Sequence, residues 1–421
     1  MRILFAPFGS LGDLHPVLAL GLELRGRGHT VALVTSEYHR ERITSAGLDF
    51  FPAVPDLRPD DKALVRATMD ERRGPEEVFR FMLAQLAGTY ADYARTIGAF
   101  GPDVLVTSEL AYAGPIAAEK LGIRWASITL SPISFLSPYD ETVLPQMPWL
   151  SRAHALGPRV YGAVLALLKR LAGRIAAPIN HFRREVGLDP VKAPLFDDKH
   201  SPELVLAMFS HLIGEARPDW PPQTIVTGYA FYDGTDQELD GEVAEFLDAG
   251  PPPIVFTLGS AAVFDPGAFY DESVKAAMNL RRRALLLVGP QPGDVPLTNE
   301  TVGVFDYVPF SKLFPRAAAI VHQGGSGTTG QAIRAGRPML IVPYAHDQPD
   351  NALRASKLRI SATVRRQRYN AGTATRALAP LLASRRIAAR AEKIGRAVAR
   401  ENGAAVAADA IERRFSPGDT H

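Results

Sequence analysis

The chain predicts an α/β protein made of two tandem, doubly wound parallel-sheet domains that face a cleft. Three observations carry this reading. At 421 residues the chain exceeds one small core, and two domains are a common outcome at that length. Short, nearly continuous apolar runs alternate with helical spacing, the pattern of strands buried on both faces of a parallel sheet. This alternation starts twice, with turn-rich sequence between the two starts.

In the first half "RILFAPF" (2–8) reads as a strand, and Leu14 to Arg27 carries helical apolar spacing. "TVALVTS" (30–36), "LDFFPA" (48–53), "PDVLVTS" (102–108) and "WASITL" (125–130) read as further strands. After "YDGTDQELDG" the pattern restarts with "PPPIVFTLGS" (251–260), followed by "RALLLVG" (283–289), "VGVFDYV" (302–308), "AAIVHQGG" (318–325) and "RPMLIVPY" (337–344). The expected organisation is a first domain over 1–213, a linker region over 214–252 and a second domain over 253–399. A helix near 400–421 is expected to pack back on the first domain.

Composition narrows the class. With no cysteine, a disulfide framework, a thiolate metal site and a cysteine nucleophile are all excluded. The start "MRILFAPFGSLGD" is no signal peptide. "YGAVLALL" stops at Lys169 and Arg170, well short of the ~20 apolar residues that span a bilayer. A soluble, cytoplasmic protein is expected, without stable membrane insertion and at most in peripheral membrane contact. Fifteen Lys or Arg against four acids between Leu353 and Phe415 read as solvated faces of Ala-rich helices. No stacking aromatics are interleaved with these charges, so nucleic acid is not an expected partner.

Four stretches carry chemistry. In "HQGGSGTTGQAIRAG" (322–336) a strand ends at His322, glycines follow, and a helix begins near Ser326 to Thr328. Its first amides lack partners within the helix and sit at the positive end of the dipole, which suits a diphosphate. In "PYAHDQPDNA" (343–352) Asp347 and Gln348 follow a strand end. A carboxylate beside an amide can hold several sugar hydroxyls there, although an N-cap role for Asp347 or Asp350 is the plainer alternative. In "FGSLGDLHP" (8–16) Asp13 and His15 follow the first strand, and both can accept a proton. In "TLGS" (257–260) Gly259 and Ser260 can touch a phosphate. There is no Asp-x-Asp and no metal-ligand spacing, so no metal and no cofactor are expected.

With these four stretches together the chain resembles the bacterial branch of glycosyltransferase family 1, of the GT-B fold. Within it the chain is similar to rhamnolipid-type rhamnosyltransferases, flavonoid glycosyltransferases and sterol glucosyltransferases. The resemblance runs over nearly the whole chain and is most specific in the donor signature "HQGGSGTTGQAIRAGRPMLIVPYAHDQPDNA". It implies a first domain that binds the acceptor and a second that binds a nucleotide-sugar donor. It also implies that His322, Gly325, Ser326, Gly327 and Thr328 contact the donor diphosphate, with Ser260 and Gly12 beside it. Asp347 and Gln348 match the pair that reads the sugar. Tyr307 and Val308 match the start of the signature, where relatives stack a Trp on the base; here Tyr stands for Trp and Phe310 for Gln, so UDP and dTDP both remain open. Many relatives have Gly-His in the first loop, the histidine being the base. This chain has Gly12-Asp13, which implies Asp13 as base unless His15 takes that task. Relatives orient the histidine through an acid after a later strand, and Glu109 is the nearest candidate.

The expected function is an inverting, metal-independent transfer of a hexose, glucose or rhamnose, from a UDP- or dTDP-sugar. The acceptor is a hydroxyl of a small apolar molecule of phenolic, sterol, macrolide or lipid type. Aromatics and methionines in 52–100 and 131–161, among them Phe81, Phe135 and Met147, are candidates to line its site, since the second segment is too broken by Pro for ordinary core. A sugar-nucleotide 2-epimerase of the same architecture and a non-catalytic nucleotide-sugar-binding subunit are the alternatives.

Overall fold

The computed structural model describes residues 1–56, 58, 61–234, 239–290 and 299–416. The first of its two sheets contains β1 (Arg2–Ala6), β2 (Thr30–Thr35), β3 (Asp49–Pro52), β4 (Val104–Ser108), β5 (Arg124–Thr129), β6 (Val205–Ala207) and β7 (Thr224–Val226), in the order β3-β2-β1-β4-β5-β6-β7. The second contains β8 (Ile254–Thr257), β9 (Ala284–Leu287), β10 (Val302–Phe305), β11 (Ala319–His322), β12 (Met339–Ile341) and β13 (Ser361–Thr363), in the order β10-β9-β8-β11-β12-β13. Every pairing between these strands is parallel. The expected pair of doubly wound domains is what the chain forms. β1 shows why: Ile3, Leu4, Phe5 and Ala6 are all fully buried. Successive side chains point to opposite faces, so both faces of this strand must be apolar.

The linker expectation needs correction. β7 lies inside 214–252, pairs with β6, and sets Ile225 against the first domain's core. The crossing to the second domain therefore runs from Val226 to the helix Gly241–Asp248, whose Val243 and Leu247 join a cluster that holds Val255, Leu285 and Ile320 of the second domain and Val205, Ala207 and Phe209 of the first. Residues 235–238 of the expected linker and 417–421 of the terminal segment lie outside the described residues. The helix Gly403–Phe415 returns to the first domain, burying Ala407, Ile411 and Phe415 in the cluster that holds Leu14 and Leu18. Arg27 grips it through Asp409 at 2.5 Å and Glu412 at 2.7 Å. The outgoing and returning crossings run side by side. Tyr229 N donates to the Glu401 carboxylate, and Gly403 N donates to Tyr229 O, each at 3.2 Å. Ser210 Oγ adds a 2.5 Å bond to Glu401.

The domains also meet elsewhere. Val65 and Met69, around the helix Lys62–Thr68, pack into the second domain's core, and Gln367 donates to Glu71 at 2.8 Å. Elsewhere Arg354 of the second domain bridges Asp140 of the first at 2.7 Å and its own Asp350 at 2.6 Å, all three side chains being buried. No helix among the described residues is long and apolar enough to cross a membrane.

Candidate functional site

Each sheet has one point where strand order reverses, between β1 and β4 and between β8 and β11. Outside the carboxyl ends of such strands an open α/β sheet leaves a crevice for a ligand. The loops there are the ones singled out by sequence: Phe8 to Asp13 after β1, Glu109 after β4, Gly259 and Ser260 after β8, and the glycine run after β11.

On the first domain, Ser10 caps the helix Leu11–Gly26 and Asp13 closes a capping box, its Oδ2 accepting from Ser10 N at 3.0 Å. Gly9 makes this possible. With φ at +119°, a Cβ there would lie 2.3 Å from Asp13 Oδ2, so the position requires glycine. Burial pushes the Asp13 carboxyl up to about 7 against the Ser10 hydrogen bonds, with the charges of Glu109 and Asp347 adding to the rise. Asp347 belongs to the other domain, so a charge from across the cleft reaches Asp13. His15, by contrast, lies 5.3 Å from the ring of Tyr232, and burial near Arg42 and His39 drives its pKa down to about 4. Glu109 orients neither of them through a hydrogen bond. It is engaged by Lys199 Nζ at 3.1 Å and by the Ser134 hydroxyl.

On the second domain, His322 is fully buried, and its Nδ1 accepts from Gly324 N at 3.1 Å. The ring proton therefore sits on Nε2, which is buried and has no partner. Burial holds the imidazole neutral, with its pKa pushed down to about 3. The helix Ser326–Arg334 is capped only by Gly325, with no side-chain cap bond, so its leading amides lack intrahelical partners. The hydroxyl of Ser326, expected at the diphosphate, instead donates across the cleft to Leu130 O at 2.6 Å. Thr328 Oγ1 accepts from Gln323 at 3.4 Å. Gln323 in turn fills the space beside Gly259, where φ is +67° and a Cβ would meet it at 2.2 Å.

Asp347 occupies the N-cap position of the helix Gln348–Lys357 but makes no capping bond. Its Oδ2 accepts from Asn351 Nδ2 at 2.7 Å, and burial pushes its pKa up to about 7. Gln348, the other half of the expected sugar-reading pair, has its carbonyl oxygen engaged. Its Oε1 already accepts from Tyr344 N at 2.8 Å and Ala345 N at 3.1 Å, which leaves only the amide hydrogens to offer. The Tyr307 ring is 64% exposed while Val308 is buried. Phe310, in place of the usual Gln, stacks on Phe314 at 4.3 Å.

The acceptor-side candidates separate. Phe135 is core, stacked at 3.9 Å on Trp220 and 5.0 Å from His200, so its faces are already covered and it is withdrawn as an acceptor contact. Met147 packs against the small cluster of Leu150, Tyr161 and Leu165. Phe81 is half-buried on the helix Gly74–Ala84 and remains available. Asn351 was missed. It ties Asp347 to Gly324 O at 2.9 Å and receives Ser131 Oγ at 3.1 Å. Its spacing of four from Asp347 on a helix was a usable signal. Lys199 was missed as well, and its distance in sequence from Glu109 offered none. Among the described residues no group of three or more His, Asp or Glu could hold a metal ion.

Comparison with known proteins agrees with this arrangement. Residues 3–133 match the glycosyltransferase family 28 N-terminal domain, and residues 288–412 match the C-terminal domain of erythromycin biosynthesis protein CIII-like proteins. The chain is 32% identical over 432 residues to O-mycaminosyltylonolide 6-deoxyallosyltransferase of Streptomyces fradiae, covering 98% of this chain and 97% of that one. Among solved structures, the glycotransferase of kitacinnamycin superposes with a TM-score of 0.76 at 21% identity, covering 98% of this chain and 99% of that one. The spinosyn rhamnosyltransferase complexed with thymidine diphosphate gives 0.69 at 19% identity, over 97% and 99%. Two facing parallel sheets, a capless helix N-terminus at the second switch point and a relative this similar over its full length have one explanation: the chain belongs to glycosyltransferase family 1 of the GT-B fold and is a sugar-nucleotide-dependent glycosyltransferase.

Proposed function

We propose that the enzyme transfers a hexose, with inversion and without a metal, from a UDP- or dTDP-sugar to a hydroxyl of a small apolar acceptor of the macrolide, sterol, phenolic or lipid kind. The observation that carries this reading is that Asp13, in the loop after β1 at the first sheet's switch point, feels the charge of Asp347, in the loop after β12 of the second domain. The acceptor hydroxyl approaches Asp13, whose carboxyl at about 7 is poised to take a proton at neutral pH. A base with a pKa near 4, such as His15, has far less driving force. The acceptor oxygen then attacks the anomeric carbon from the face opposite the diphosphate. As that bond breaks, charge grows on the departing diphosphate. The free Nε2–H of His322 and the amides of Ser326, Gly327 and Thr328 are oriented donors for it, and a preorganised donor is worth most in a water-poor site.

Asp347 can accept from two neighbouring sugar hydroxyls and Gln348 can donate to a third, which suits glucose or a 6-deoxyhexose such as rhamnose. The Streptomyces fradiae relative, whose name assigns it a 6-deoxyallosyl group, supports the second of these. The exposed Tyr307 ring is the proposed platform for the base. The test is Asp13→Asn. Transfer should fall by ~10²–10⁴-fold, the usual contribution of a general base, while calorimetric affinity for UDP or dTDP stays within a few-fold. Full activity in Asp13→Asn together with inactive His15→Ala would move the base to His15.

A further inference from the structure

The helix Pro158–Ala172, which contains the "YGAVLALL" run, carries apolar residues on both faces. Tyr161 and Leu165 bury one face against Leu150. The other presents Val160, Leu167 and Leu171 to solvent, with Leu156 just before the helix and Ile175 just after it also exposed; Leu156, Leu167 and Leu171 are 66%, 57% and 54% exposed. Within the helix the spacing of seven and four places Val160, Leu167 and Leu171 in one stripe along the axis. Beside it runs a second row, Arg159, Arg170 and Arg174, none with an ion-pair partner among the described residues. Between Trp149 and Arg184 there are seven Lys or Arg and no Asp or Glu, and Trp149 is itself exposed. At the far end Ile175 lines a groove of about 350 Å³ with Leu83, Ala84, Pro178 and the ion-paired Glu76 and Arg80.

We propose that this face of the first domain docks on an anionic phospholipid bilayer, with the Leu stripe in the headgroup–acyl boundary and the Arg row on lipid phosphates. A stripe of aliphatic side chains with cations alongside is what a helix lying in the interface plane requires. Free guanidinium groups pair well with phosphate oxygens. A second copy of the chain fits less well, because a symmetric contact would bring this acid-free Arg row against itself. The surface is independent of the transfer chemistry and leaves the proposed site untouched.

The experiment is flotation of the full chain with vesicles of phosphatidylcholine alone or with about one third phosphatidylglycerol, at low and high salt. Binding should require the anionic lipid and weaken with salt. Arg170→Gln with Arg174→Gln should lower partitioning by at least about tenfold, since each cation near the surface contributes roughly fivefold. Leu167→Glu with Leu171→Glu should abolish it with an unchanged melting temperature, these side chains being exposed. Equal binding to neutral and anionic vesicles, or none to either, overturns the proposal. So does self-association in sedimentation that Leu171→Glu dissolves, which would assign the stripe to a second copy.

Discussion

Burial sets the protonation of both Asp13 and His322, raising one pKa and lowering the other, and both shifts matter to the chemistry proposed. Burial keeps His322 neutral, so it offers a fixed N–H with no charge to be desolvated when a diphosphate arrives. Burial also favours the protonated form of Asp13, aided by Glu109 and Asp347. A carboxyl raised to about 7 is neutral below that pH, and the proposed base works only when ionised. Hence kcat/KM should fall as pH drops through about 7, in a limb that belongs jointly to Asp13 and Asp347, both raised to that value. Glu109→Gln removes a charge that raises Asp13, so its limb should move to lower pH; a limb that stays put, measured with saturating donor, removes Asp13 from the role. These two residues were legible because a glycine loop beside an acid or histidine at a strand end has few other uses. Lys199 was not legible, since only the fold brings it to Glu109. Phe135 misled because proline-broken sequence can still pin an aromatic ring, here by the short turn Pro132–Phe135 that delivers it to Trp220.

The helix Gln348–Lys357 and the loop before it separate two roles that adjacent residues suggested sharing. Asp347 points its carboxylate at Asn351 and the cleft, whereas Gln348 braces the loop through two backbone amides. Gln348→Ala should therefore lower the melting temperature, because a buried amide left without an acceptor costs about 1–3 kcal/mol, and should weaken diphosphate binding too. Asp347→Ala should cut transfer sharply yet leave stability equal or higher, since a carboxyl raised by burial is strained when charged. Calorimetry with the free diphosphate and thermal melts of both variants check this; parallel losses in both would return the pair to a single task. At this scale the long apolar strands were legible and β6, β7 and β13 were not. Three residues show no period, and the Ser361–Thr363 strand is polar enough to pass for a loop.

Across the whole molecule, the return of Gly403–Phe415 makes the first domain's core depend on residues some four hundred positions after β1. Ile411 is fully buried there, so Ile411→Ala should cost about 2–5 kcal/mol while kcat measured well below the melting temperature stays near wild type. A matching loss of kcat in the folded variant would mean that this helix shapes the cleft as well as the core. The same return has a mechanical consequence. The second domain hangs from the first by two crossings, and those crossings are clasped to each other at Tyr229, Glu401 and Gly403. A body held by one strand can swivel about any direction, but one held by two strands fastened side by side turns about a single axle. Any rotation between the domains would turn about that axle, and would have to part Met69 from the second domain's core and Arg354 from Asp140.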